Sequence, residues 1–133
     1  MKLVLDTNKL FSFFWKGSLI KKLLISEHDL YSPEFALKEL ENHKLEILEK
    51  TKLTSEEFEE FKIRLKKVVE FVPFSRYSKH FPKALSLLPE HTKDIDFLAL
   101  AIELNAGIIS NDKELKKQSE INIFDDSKLS DLF

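Results

Sequence analysis

The sequence predicts an α/β fold, with a mainly parallel sheet of about five short strands covered by helices on both faces. Short apolar runs, Leu3-Val4-Leu5 first among them, alternate with longer stretches whose apolar residues recur at helical spacing. Strands separated by helices build parallel sheets that are buried on both sides. Two of the apolar runs, Leu3 to Leu5 and Ile108-Ile109, stop abruptly at Asp6-Thr7-Asn8 and Ser110-Asn111-Asp112. Ligands of open α/β sheets bind beyond the carboxyl ends of the strands, so these two exits mark the candidate site.

The 133 residues suffice for one domain with a real core. With 43% hydrophobic and 33% charged residues, a globular, soluble, cytoplasmic protein is expected. No apolar run approaches the ~20 residues that span a bilayer. No secretory leader is expected either, because Asp6 and Lys9 interrupt the apolar start. The absence of cysteine excludes disulfides, thiolate zinc sites and cysteine nucleophiles. His28, His43, His80 and His91 have no paired ligand spacing, which argues against a zinc or histidine-base enzyme. Two glycines form no phosphate-cradling loop, so an ATP-binding P-loop is excluded. The net charge of −2 is unlike that of a basic nucleic-acid binder, so local patches must carry any such contact. All of the 21 basic residues except Arg64 and Arg76 are lysine, and a Lys/Glu-rich composition is a hyperthermophile trait.

Along the chain, Leu10 to Trp15 reads as a short apolar helix broken at Gly17, and Ser18 caps a second stretch from Leu19 to Ser26. The aromatic cluster here reads as core or partner contact. His28 to Tyr31 gives a second strand. Ser32-Pro33-Glu34 then has the order of a helix start: a cap, a proline in the first turn, an acid at the positive end. That helix is expected from Pro33 to about Lys50, with Phe35, Leu37, Leu40, Leu45, Ile47 and Leu48 apolar and Glu39 in its second turn. Thr54 to Glu57 has capping-box spacing. The following helix carries acids early and bases late, matching its dipole, so its charges read as a solvated face. Phe58, Phe61, Leu65, Val68 and Val69 form its buried stripe.

Phe71 to Phe74 is the third strand or a strand exit, Tyr77 to Leu88 a helix with Pro82 near its start, and Leu88 to His91 a loop. Asp94-Ile95-Asp96 opens a helix that continues apolar on every side through Ile102, as helices buried within a fold do. The chain turns at Asn105-Ala106-Gly107 into the strand at Ile108-Ile109. A helix start follows at Leu115-Lys116-Lys117, and Ile121 to Phe124 is the last strand.

In a parallel sheet Asp6 and Asp112 leave two strands at one edge, and a helix start such as Asp94 lies there too. Singly, each acid reads as a helix cap. Gathered, they would repel one another, and one would hold its proton unless a cation entered. An all-oxygen set of this kind suits Mg²⁺ or Mn²⁺.

Four blocks carry a resemblance to a known family: Leu3 to Asn8, Glu39-Leu40, Asp94 to Ala101 and Ile108 to Asp112. In this order and at this length they resemble the PIN domain, and within that family the short single-domain VapC-type toxins. The resemblance spans essentially the whole chain as one PIN-like domain, 1–133, and implies a three-layer α/β/α sandwich. It implies that Asp6, Glu39, Asp94 and Asp112 form a catalytic acidic site holding Mg²⁺ or Mn²⁺. Asp96 is an additional ligand or the true one, since side chains two apart on a helix point in different directions. Thr7, Asn8 and Ser110 match positions that orient the carboxylates or contact phosphate. Asn111 stands where many VapC-type members carry a basic residue.

The implied reaction is hydrolysis of RNA phosphodiester bonds by a metal-activated water. Lys9, Lys113, Lys116 and Lys117, just past two of the acids, are the candidates for RNA-backbone contacts. An antitoxin partner and a homodimer follow from the same resemblance. A fold retained as an RNA-binding or protein-docking module without turnover is the alternative, and the complete acidic set counts against it. A phosphotransferase with Asp6 as nucleophile is less suited, because Asn8 stands where a second aspartate is needed.

Overall fold

A computed structural model describes residues 1–15, 26–90 and 92–132. β1 (Lys2–Leu5) leads into α1 (Thr7–Ser12), and β2 (Asp29–Pro33) into α2 (Glu34–Asn42) and α3 (Lys44–Thr51). α4 (Ser55–Val68) runs into β3 (Val69–Val72), followed by α5 (Phe74–Tyr77) and α6 (Phe81–Leu87). α7 (Ile95–Leu104), β4 (Gly107–Ile109) and β5 (Ile123–Phe124) complete the series. Single 3₁₀ turns cover Ser78–His80, Thr92–Asp94, Leu115–Lys117 and Leu129–Leu132.

The sheet has the order β3-β2-β1-β4-β5 and every pairing is parallel, as expected. Side chains of successive strand residues point to opposite faces, and here that alternation fills two cores. Leu3 and Leu5 pack on one face with Leu10, Phe14, Leu40 and Phe58. Val4 packs on the other with Leu98, Leu100 and Ile108. The result is the three-layer α/β/α sandwich. α7 is its buried helix: Leu98, Ala99, Leu100 and Ala101 have no exposed surface, and each buried leucine contributes about 1.5–3 kcal/mol. Asn105, at φ 54°, ends α7 in the left-handed conformation that asparagine tolerates. Gly107 is required for a different reason, since a Cβ there would sit 2.7 Å from the Phe124 ring across the β4–β5 pair.

Several elements depart from the sequence reading. The first helix starts at Thr7 rather than Leu10, because Asp6 caps it. Ser32 is no helix cap: it lies within β2, and its hydroxyl donates to the Leu5 carbonyl at 2.9 Å, tying β2 to β1. The helix expected from Pro33 to Lys50 breaks at His43 into α2 and α3. The break resets the helical phase, leaving Leu45 82% exposed while Ile47 is buried. Val68 is also exposed, because α4 passes straight into β3, which begins two residues before the strand expected at Phe71. The helix expected over Tyr77 to Leu88 is split by the 3₁₀ turn at Ser78–His80. The last strand is shortened, because the Gln118 amide binds both the N–H (2.8 Å) and the carbonyl (2.9 Å) of Ile121. The capping box is as expected: the Thr54 hydroxyl accepts from the Glu57 N–H at 3.1 Å, and the Glu57 carboxylate from the Thr54 N–H at 3.0 Å. The helical stretch expected from Leu19 lies outside the described residues, save Ser26. Among the described residues no helix is long and apolar enough to cross a membrane.

Candidate active site

The site forms where the sheet order changes direction. From β1 the chain proceeds to β2 on one side, while β4 lies on the other, and such a switch leaves a crevice beyond the strand ends. Asp6, at the end of β1, accepts the Lys9 N–H on Oδ1 at 2.8 Å. Its other oxygen accepts the hydroxyl of Ser110, a fully buried residue just past β4. The same Ser110 oxygen accepts the Asp112 N–H at 3.0 Å. Asp112 in turn accepts the Glu114 N–H at 2.9 Å. One serine hydroxyl therefore holds the two acidic strand exits against each other.

Glu39 reaches the same place from α2, and Asp94, 6% exposed, from the start of α7. All four acids, with Thr7 and Asn8, line one cleft of about 640 Å³. Burial pushes the Asp6 carboxyl above its ordinary value. The Ser110 hydroxyl, the Lys9 N–H and the Lys9 charge oppose that rise, and the Asp112 charge adds to it. Among the described residues no lysine, arginine or histidine forms an ion pair with Asp6, Glu39 or Asp112. The donor set is all oxygen, which fits a hard dication rather than zinc. No three of the described Asp, Glu or His residues form a ready-made metal cage. Mg²⁺ does not require one, because it keeps several waters and takes only one or two carboxylates.

The structure separates Asp94 from Asp96. The Asp96 carboxylate accepts the Tyr77 hydroxyl at 2.7 Å and lines a neighbouring depression with Phe35 and Phe74, not the cleft. Of the two, Asp94 lines the cleft and Asp96 does not.

The lysines expected to grip RNA also need correction. Lys9 lines the cleft but is 7% exposed, and its ammonium is paired with Asp126. Asp126 is itself locked to Asn111, which donates to its carboxylate and accepts its N–H, both at 2.9 Å. Lys116 and Lys117 pair with Asp125 and Glu114, and neither these two nor Lys113 line the cleft. Residues that do line it, and that the sequence reading passed over, include Phe11, His43, Glu46 and Lys93. Only Lys93 carried a signal, its place beside Asp94. His43 and Glu46 arrive through the break between α2 and α3.

The PIN domain family model matches residues 4–120. The chain is a PIN-domain protein. Among curated proteins none matches its sequence significantly. Two solved structures similar to it are VapBC2 from Rickettsia felis, bound to a DNA fragment from their promoter, and VapBC-1 from nontypeable Haemophilus influenzae. Each is 18% identical over 94% of this chain and 98% of the other, with TM-scores of 0.69 and 0.67. At that identity the likeness speaks for the PIN fold, which agrees with the five-stranded parallel sheet.

Proposed function

We propose that the cleft is a divalent-cation-dependent nuclease site that hydrolyses RNA phosphodiester bonds. The observation that carries this reading is the meeting of Asp6, Glu39, Asp94 and Asp112, drawn from four separate parts of the chain, around one cleft at the carboxyl edge. One or two of those carboxylates, with waters in the remaining positions, would hold Mg²⁺ or Mn²⁺. When bound, the cation lowers the pKa of a water and offsets charge on the phosphate. Water then adds across the P–O bond, leaving a phosphate monoester and a free hydroxyl on the other fragment. Ser110 keeps Asp6 and Asp112 in a fixed relation throughout. Thr7 and Asn8, at the start of α1, face the substrate phosphate.

The similarity to VapBC assemblies and the VapC-type motifs support a toxin paired with an antitoxin protein; a homodimer in the cytoplasm is the form proposed for it. The competing reading, a PIN fold kept as a docking or RNA-binding scaffold, draws on the spacing of the carboxylates. Titration calorimetry with Mn²⁺ separates the two, since a scaffold takes up no ion near physiological levels. The direct test is Mg²⁺- or Mn²⁺-dependent cleavage of single-stranded RNA, lowered at least about 10³-fold in folded Asp6→Asn and Asp112→Asn proteins. Cleavage that survives both substitutions refutes the assignment.

A further inference from the structure

An RNA backbone entering a cleft walled by acids needs a cation that the chain has not already neutralised. Among the described residues, and besides its carboxylates, the cleft wall carries three basic side chains, Lys9, His43 and Lys93. Lys9 is buried and held by Asp126. The His43 ring bonds Glu46 at 3.1 Å and rests against Phe11, centroids 5.5 Å apart. Lys93 differs from both: it is exposed, sits in the turn that delivers Asp94, and has no ion-pair partner among the described residues. A lysine is a compact point charge on a flexible stem, suited to a single phosphate oxygen.

We propose that Lys93 is the positioning residue that grips a backbone phosphate of single-stranded RNA at the mouth of the acidic cleft. The inference rests on the nuclease reading, and it replaces the lysines that follow Asp6 and Asp112 as the site of that contact. Lys93 takes a non-bridging oxygen of a phosphate next to the one being cleaved. It contributes to binding and leaves the chemical step to the carboxylates.

In steady-state cleavage of a short single-stranded RNA, Lys93→Ala raises KM about tenfold with kcat within about twofold, and Lys93→Arg restores KM. Fluorescence anisotropy with the same labelled RNA on the Asp6→Asn protein gives the salt dependence of binding. Adding Lys93→Ala there reduces the slope of log Kd against log salt by about 0.7, the loss of one single-strand phosphate contact. Lys67→Ala, an exposed lysine at the opposite edge of the sheet, changes neither quantity. If wild-type protein cleaves RNA while Lys93→Ala keeps its KM and slope, or loses only kcat, the inference fails and the nuclease reading stands. An equal loss in Lys67→Ala also overturns it, since the contact would then be diffuse charge. If wild-type protein neither cleaves nor binds RNA, both fall together.

Discussion

Several carboxylates outside the cleft are neutralised by neighbouring bases, whereas among the described residues Asp6, Glu39 and Asp112 inside it have no ion-pair partner. Glu59 takes Lys62 at 2.8 Å and Lys44 at 2.9 Å, and both hold its carboxyl below the ordinary range. His80 at 2.8 Å and Lys79 at 3.3 Å do the same for Glu103, as Lys116 and Ser127 do for Asp125. Asp6 goes the other way: it is pushed up by burial and satisfied only by a hydroxyl, an N–H and a nearby charge. Glu46 marks the boundary. It lines the cleft, yet Lys50 and His43 pair with it and lower its carboxyl, so it belongs to the rim. An abundance of acids in a sequence thus says little about chemistry. What matters is whether the fold brings a base along with each one.

That contrast can be broken or sharpened by substitution. Beyond the cleft acids themselves, the largest effect is expected at Ser110, whose hydroxyl serves both Asp6 and the Asp112 N–H. Ser110→Ala should cost about 1–2 kcal/mol in chemical unfolding and lower kcat about 10- to 100-fold, as loss of a ligand-orienting partner does. Full activity in that variant would mean that the two strand exits hold themselves.

Asp126 is next. Asp126→Asn leaves Lys9, whose side chain is 9% exposed, without its counter-charge, against a partner side chain that is 60% exposed. Solvent screening at Asp126 keeps the expected cost to about 1–2 kcal/mol rather than that of a fully buried pair. The pH dependence has a definite sign. Lys9, and then Asn111, hold the Asp126 carboxyl below its ordinary value. Its contribution is therefore complete above the ordinary aspartate pKa and is lost as pH falls through the lowered one. The gap in Tm between wild type and Asp126→Asn should close in acid, and a gap that widens there would contradict the pairing.

The smallest effect is expected at Asp96. Asparagine can still accept the Tyr77 hydroxyl, so Asp96→Asn should leave cleavage within about twofold and stability within about 1 kcal/mol. A loss comparable to that of Asp94→Asn would return Asp96 to the metal.

The parts of this molecule that could be read from sequence are those set by local pattern. Short segments between the helices located all five strands, the unbroken apolar stretch located α7, and the two strands ending in Asp6 and Asp112 pointed to the cleft. Features set by distant partners could not be read. Lys9 looked available because Asp126 lies 117 residues away, and Asp96 rivalled Asp94 until Tyr77, 19 residues earlier, turned out to hold it. Ser32 had every mark of a helix cap, yet the Leu5 carbonyl claimed its hydroxyl. The break at His43 brought Glu46 and His43 to the cleft from a segment that reads as one continuous helix.

Anomalous scattering from crystals soaked in Mn²⁺ tests the central claim most directly. The account predicts a manganese peak inside the cleft, in contact with Asp6 and at least one of Asp94 and Asp112, that disappears in Asp6→Asn crystals. A cleft without manganese at millimolar concentration, or a peak that persists unchanged in Asp6→Asn, would contradict it.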